Sequence, residues 1–160
     1  MADDQRKVVM GLGNLLQRDE GFGIYALQAL QKRLGEQPGL EFVEGGVMGL
    51  DLLPLVEDCG HLLLLDAVDA GQPAGALVEL GKDEIPLYTG VKLSQHQVTF
   101  QEVLALVQLR GRTPGYIHLL GVQPADLSFG MELSPLAADK IPAVLDRAVV
   151  ILQGWGILRP

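Results

Sequence analysis

Apolar residues fall in this chain as short unbroken runs, alternating with longer stretches in which they recur at helical spacing. The first run, Lys7 to Gly11, reads as a strand that stops at the turn-forming cluster Gly11-Leu12-Gly13-Asn14. Beyond it, Phe22, Ile24, Leu27, Leu30 and Leu34 share one helical face; Asp19 stands where a residue could cap that helix, and Gly35 where one could end it. A second strand is expected at Leu40 to Val43, closed by Gly45-Gly46, followed by a helix over Leu50 to Val56. The clearest strand is His61 to Ala67, whose continuous aliphatic run suits a central parallel strand covered on both faces, and it ends in an acid, Asp66. Ala76 to Leu80 and Tyr116 to Val122 complete five strands. Helices are expected over Phe100 to Leu109 and Leu136 to Leu152, the last with Ser134 as cap and Pro135 in its first turn.

Strands alternating with helices predict one α/β domain over residues 1–160, with a mostly parallel sheet joined by right-handed crossovers. In such folds ligands bind in the crevice outside the carboxyl ends of the strands. Gly11 to Asp19, Gly45-Gly46 and Asp66 are all expected at that edge, and a polar loop around His96 could fold over it.

Composition narrows the functions such a crevice could serve. With 48% hydrophobic and 20% charged residues, the chain can bury a core and is not a disordered polymer. Its 12 basic residues against 20 acidic ones, a formal charge of −8, argue against a surface built to neutralise phosphates, so no nucleic-acid partner is expected. The single cysteine, Cys59, supports neither an internal disulfide nor a multi-thiolate metal site and is read as a small buried hydrophobe. The acidic start Met1-Ala2-Asp3-Asp4-Gln5 does not read as a signal peptide, and no apolar run approaches the roughly 20 residues that span a bilayer. A cytoplasmic protein with no membrane partner is expected.

The polar residues at the binding edge then carry the chemistry. Gly11-Leu12-Gly13 follows a strand and precedes a helix, as a dinucleotide loop would, but Leu16 stands where the third glycine is needed and no Gly-Lys-Ser or Gly-Lys-Thr occurs. Asp19 is accounted for by helix capping. Asp66, ending an apolar central strand, must find a partner or water beside a low-dielectric core. Glu20, Asp66 and His96 together supply two carboxylates and an imidazole, a donor set suited to a borderline divalent ion such as nickel or zinc, with coordination positions left open. His61 and His118 lie within strands and are weaker candidates. The His-Glu-x-x-His pattern of common zinc proteases and the Asp-Thr-Gly of aspartic proteases are both missing.

These blocks carry a resemblance. Gly11-Leu12-Gly13-Asn14-Leu15-Leu16 with Asp19-Glu20-Gly21-Phe22-Gly23, Glu44-Gly45-Gly46 with Gly49, Leu65-Asp66-Ala67, Ser94-Gln95-His96-Gln97 and Gly121-Val122-Gln123-Pro124 occur in the order and approximate spacing of the [NiFe]-hydrogenase maturation endopeptidases. Glu44 stands where that family often has Asp. The resemblance implies a three-layer α/β fold of the phosphorylase/hydrolase-like kind, a twisted, mostly parallel five-stranded sheet with helices on both faces. It also implies an endopeptidase, acting as a monomer, that removes the carboxyl-terminal peptide of a [NiFe]-hydrogenase large-subunit precursor. Nickel would be supplied by the precursor rather than permanently bound, and would be recognised by Glu20, Asp66 and His96, the same residues that carry catalysis. Whether the metal or a carboxylate, Asp66 first, performs the chemistry is left open. Two other readings stay on the table, a non-proteolytic nickel-site assembly chaperone using the same ligands and a nucleotide-binding domain using the glycine loop.

Overall fold

The computed structural model describes residues 5–46, 49–85 and 95–160. Five strands, β1 (Arg6–Leu12), β2 (Leu40–Gly46), β3 (Cys59–Ala67), β4 (Leu77–Leu80) and β5 (Tyr116–Val122), form one sheet in the order β2-β1-β3-β5-β4. β1 pairs in parallel with β2 and β3, and β3 with β5, while β4 runs antiparallel along the edge of β5. Helices α1 (Phe22–Leu34), α2 (Leu53–Asp58), α3 (Gln95–Leu109), α4 (Pro135–Ala138) and α5 (Ile141–Gly154) cover both faces, as expected from the alternation of elements.

Strand periodicity explains the three layers. Successive residues of β3 point to opposite faces, so Leu62 and Leu64 join Val56 of α2 and Val103 and Val107 of α3 in one apolar cluster. Leu63 and Leu65 join Phe22 and Leu27 of α1 and Ala148 and Leu152 of α5 in the other. All four leucines are fully buried, which is why the strand reads as unbroken aliphatic sequence rather than alternating.

Three expectations are corrected at the ends of helices. The tail is two helices, not one, because Pro142 lacks the N–H of a continuing helix and its ring would meet the carbonyl one turn back; the chain breaks at Asp139-Lys140 and restarts with Pro142 in the first turn of α5. Ser134 does cap α4, accepting from the Ala137 N–H at 3.2 Å. α3 begins at Gln95 rather than Phe100, so His96 stands in a helix's first turn and not in a loop. The segment Gln95-His96-Gln97-Val98-Thr99 contains no glycine or proline to stop the helix, and its polar start masked the periodicity. The expected helix over 50–56 begins as a 3-10 turn, Gly49–Leu52, and becomes α2 only from Leu53.

Candidate active site

β1 sends its crossover, α1, over one face of the sheet to β2, whereas β3 is reached from β2 by α2 on the other face. The order in which strands are added therefore reverses between the parallel neighbours β1 and β3, and the crevice at their carboxyl ends is where a doubly wound sheet binds ligands. Glu20 lies in the 3-10 turn Arg18–Gly21 that follows β1, and Asp66 is the last residue but one of β3.

Two glycines fix the turn that carries Glu20 against the ends of β1 and β3. A Cβ on Gly23 would lie 2.2 Å from the carbonyl oxygens of both Leu12 and Leu65, so only glycine lets the first turn of α1 rest directly on the ends of β1 and β3. Gly13, at φ +143°, would place a Cβ 1.9 Å from the Glu20 carbonyl oxygen, which instead accepts from the Asn14 N–H at 3.0 Å. The loop thus closes on the 3-10 turn Arg18–Gly21 and holds it against β3. Arg18 takes a left-handed conformation at φ +46°, unfavourable for a residue with a side chain, immediately before the two acids.

Asp19, Glu20 and Asp66 are 0%, 6% and 2% exposed. Asp19 does not cap its own helix, contrary to the expectation from its position, since α1 has Gly21 at its N-cap and no side-chain cap. Its carboxylate reaches across the fold. Oδ2 accepts from the N–H groups of Ala125 at 2.8 Å and Asp126 at 3.0 Å and from the Ser134 hydroxyl at 2.8 Å, and Oδ1 accepts from the Ser134 N–H at 2.7 Å. The Asp19 N–H in turn donates to the Asp126 carbonyl at 3.0 Å. Glu20 donates its N–H to the Gln17 carbonyl at 3.0 Å.

Asp66 shares strand parity with Leu62 and Leu64, which places it on the sheet face covered by α3. Its Oδ1 accepts from the Ala67 N–H at 2.8 Å. The first turn of α3 carries His96, whose side chain lies outside the described residues. Among the described residues no group of three His, Cys, Asp or Glu side chains is arranged to hold a metal.

Other candidates fall elsewhere. Glu44 is exposed and accepts from Gln28 Nε2 at 3.0 Å, beside a cleft of about 250 Å³ lined by Gly13, Leu16, Ile24, Gly45 and Gly46. His118 faces Glu79 at 3.4 Å on the far edge of the sheet, and His61 stacks on Tyr116 with ring centroids 4.4 Å apart. Cys59 is buried, and that burial pushes its thiol up to about 12, so the role of a small hydrophobe holds. Gln123 was legible only as part of an exit motif. Its Oε1 accepts from Ala70 and Gln72 and its Nε2 donates to Asp69, pinning the segment after β3 to the end of β5.

A switch-point crevice lined by buried acids describes many hydrolases, and comparison with known proteins decides among them. A model of the hydrogenase maturation proteases matches residues 24–151. The chain belongs to the hydrogenase maturation protease family. It is 38% identical over 158 residues to the hydrogenase expression/formation protein HupD of Bradyrhizobium diazoefficiens, covering 98% of this chain and 82% of that one. It is 30% identical over 153 residues to the hydrogenase 2 maturation protease of Escherichia coli, covering 95% and 93%. The solved structure of the hydrogenase-maturating endopeptidase HybD from E. coli superposes with a TM-score of 0.89 over 94% of each chain at 30% identity. This maturation protease is therefore an endopeptidase with the three-layer α/β architecture of that structure.

Proposed function

We propose that this protease removes the carboxyl-terminal peptide of a [NiFe]-hydrogenase large-subunit precursor, and that it does so after nickel has entered the precursor. The observation that carries the reading is the placement of two buried carboxylates, Glu20 and Asp66, at the switch point of the sheet in a member of this family. Glu20 and Asp66 supply hard oxygen donors and His96 an imidazole, a set that accepts a borderline cation such as nickel without thiolates. With Cys59 buried at the start of β3, far along the strand from Asp66, no thiol of this chain competes for a metal held by the substrate. Nickel carried by the precursor is then a signal of loading, read by the residues that flank the scissile bond.

Hydrolysis needs a base to take the proton of the attacking water and an acid to return one to the leaving amine. We assign these roles to Asp66 and Glu20, with Asp66 as the first candidate for the base. The substrate's own metal can add polarisation of the scissile carbonyl. We place the reaction in the cytoplasm; among the described residues no helix is long and apolar enough to cross a membrane. A nickel chaperone that cleaves nothing finds no support among the relatives, which include a named protease and a named endopeptidase.

The test is cleavage of nickel-loaded precursor, followed as loss of mass, by wild type and by Glu20→Gln, Asp66→Asn and His96→Gln. Each substitution is expected to lower the rate by about 100-fold or more, the usual worth of a positioned acid or base. Wild-type rates in all three would sink the assignment. For Asp66→Asn, retained precursor binding with lost turnover identifies the base; binding and turnover lost together identify a metal contact.

A further inference from the structure

Four large apolar side chains in the segments around the turn that carries Glu20 face solvent: Leu16, Leu127, Phe129 and Met131, with Phe129 84% exposed and Met131 62%. They belong to two segments joined through their backbones. Gly130 donates its N–H to the Leu16 carbonyl at 2.8 Å and accepts from the Arg18 N–H at 2.8 Å, forming a parallel bridge with Gln17. The Tyr25 hydroxyl donates to the Met131 carbonyl. Within the loop, Asp126 Oδ1 accepts from the Ser128 N–H at 2.9 Å and its hydroxyl at 2.6 Å. The two ends of the loop, Ala125-Asp126 and Ser134, are both gripped by the Asp19 carboxylate.

This arrangement is unusual for apolar side chains. Left to the hydrophobic effect, a loop rich in Leu, Phe and Met turns those groups inward. Here polar bonds from the loop's backbone fix it to the 3-10 turn and leave the side chains outside. Apolar groups presented on a fixed backbone lose little freedom when covered, which is the property of a recognition surface.

Continuity with the turn that carries Glu20 identifies the occupant. Leu16 also lines the cleft formed with Gly13, Ile24 and Gly45, and its carbonyl is bonded to Gly130, the residue between Phe129 and Met131. The turn that follows Leu16 holds Asp19 and Glu20. An endopeptidase must hold polypeptide on either side of the bond it cuts, and a polypeptide reaching Glu20 along this side meets these four residues. We propose that Leu16, Leu127, Phe129 and Met131 seat an apolar segment of the precursor polypeptide next to its scissile bond, with Asp19 holding that seat in register with Glu20. The inference rests on the reading of Glu20 and Asp66 as the site of cleavage and names the surface that feeds it.

Steady-state cleavage of nickel-loaded precursor is compared for wild type, Phe129→Ser, Met131→Ser, the double variant, and Leu109→Ser at the other end of α3, itself 83% exposed. Binding of the same precursor is titrated in parallel, so that docking is read whether or not cleavage occurs. Loss of one or two anchors is expected to raise KM and Kd about tenfold with kcat within about twofold, while Leu109→Ser matches wild type. Unchanged KM and Kd in the double variant overturn the proposal, as does a wild-type dimer that the double variant dissociates while its KM stays that of Leu109→Ser. Wild type that binds the precursor but leaves it intact defeats the cleavage assignment instead, and the titration then decides the docking surface alone.

Discussion

The two ends of the sheet are built on opposite rules. At the amino end, Arg6 and Cys59 stand in register, His61 lies opposite Tyr116, and Trp155 closes a small aromatic cluster. Charges there are paired at the surface, as in Arg6 with Glu41 at 2.7 Å, and the thiol is buried and inert. At the carboxyl end, three carboxylates are buried, a non-glycine residue takes a left-handed conformation, and helix and strands approach so closely that no Cβ fits between them. Backbone preferences are satisfied at one end and overridden at the other. The strain and the buried carboxylates gather at the end where we propose that polypeptide is bound and cut, which is where a fold can be expected to sacrifice stability for function.

The comparison breaks most visibly at Asp19. Replacement by alanine removes the acceptor for three N–H groups and a hydroxyl in a fully buried place, and a loss of about 3 kcal/mol or more is expected in denaturant unfolding. A loss below that of an ordinary surface substitution would mean that the loop and the turn are not held together through this carboxylate.

Gly23→Ala comes next. Its Cβ would meet two strand carbonyls at 2.2 Å, and backbone cannot yield as a flexible side chain can, so about 2 kcal/mol is expected. Cleavage should fall with it, because the turn that carries Glu20 must lift off β3. A variant that melts lower yet cleaves at the wild-type rate would separate packing from the placement of Glu20.

The smallest effect is expected away from the crevice, at Arg147→Ala. Arg147 makes two bonds to Glu79, at 2.8 and 2.9 Å, and with some help from His118 holds that carboxyl below its ordinary range. A carboxyl lowered in the folded state adds stability above its unfolded pKa and loses it as the pH falls through the folded one. Both side chains are more than a third exposed, so solvent screening keeps the difference under about 1 kcal/mol at neutral pH. Melting curves of wild type and variant should converge in acid, with cleavage at neutral pH unaffected.

Much of the fold was legible along the chain, and the reasons are local. The aliphatic run of β3 announced a strand buried on both faces, Gly35 marked the end of α1 and Ser134 the start of α4. Pro142 hid a helix break because its neighbours keep helical spacing. Asp19 was misread for a different reason. A carboxylate before a helix is nearly always a cap in sequence terms, and nothing in its neighbourhood says that its partners stand 106 to 115 residues away.

By itself, then, the sequence determined the order of strands and helices, the acids at the ends of β1 and β3, and the family to which those blocks correspond, because each depends on residue type and spacing within one segment. Tertiary structure alone decided the work of Asp19 and the open display of Leu127, Phe129 and Met131. Both follow from hydrogen bonds between segments more than a hundred residues apart, formed only once the sheet has brought the end of β1 and the exit of β5 to one edge.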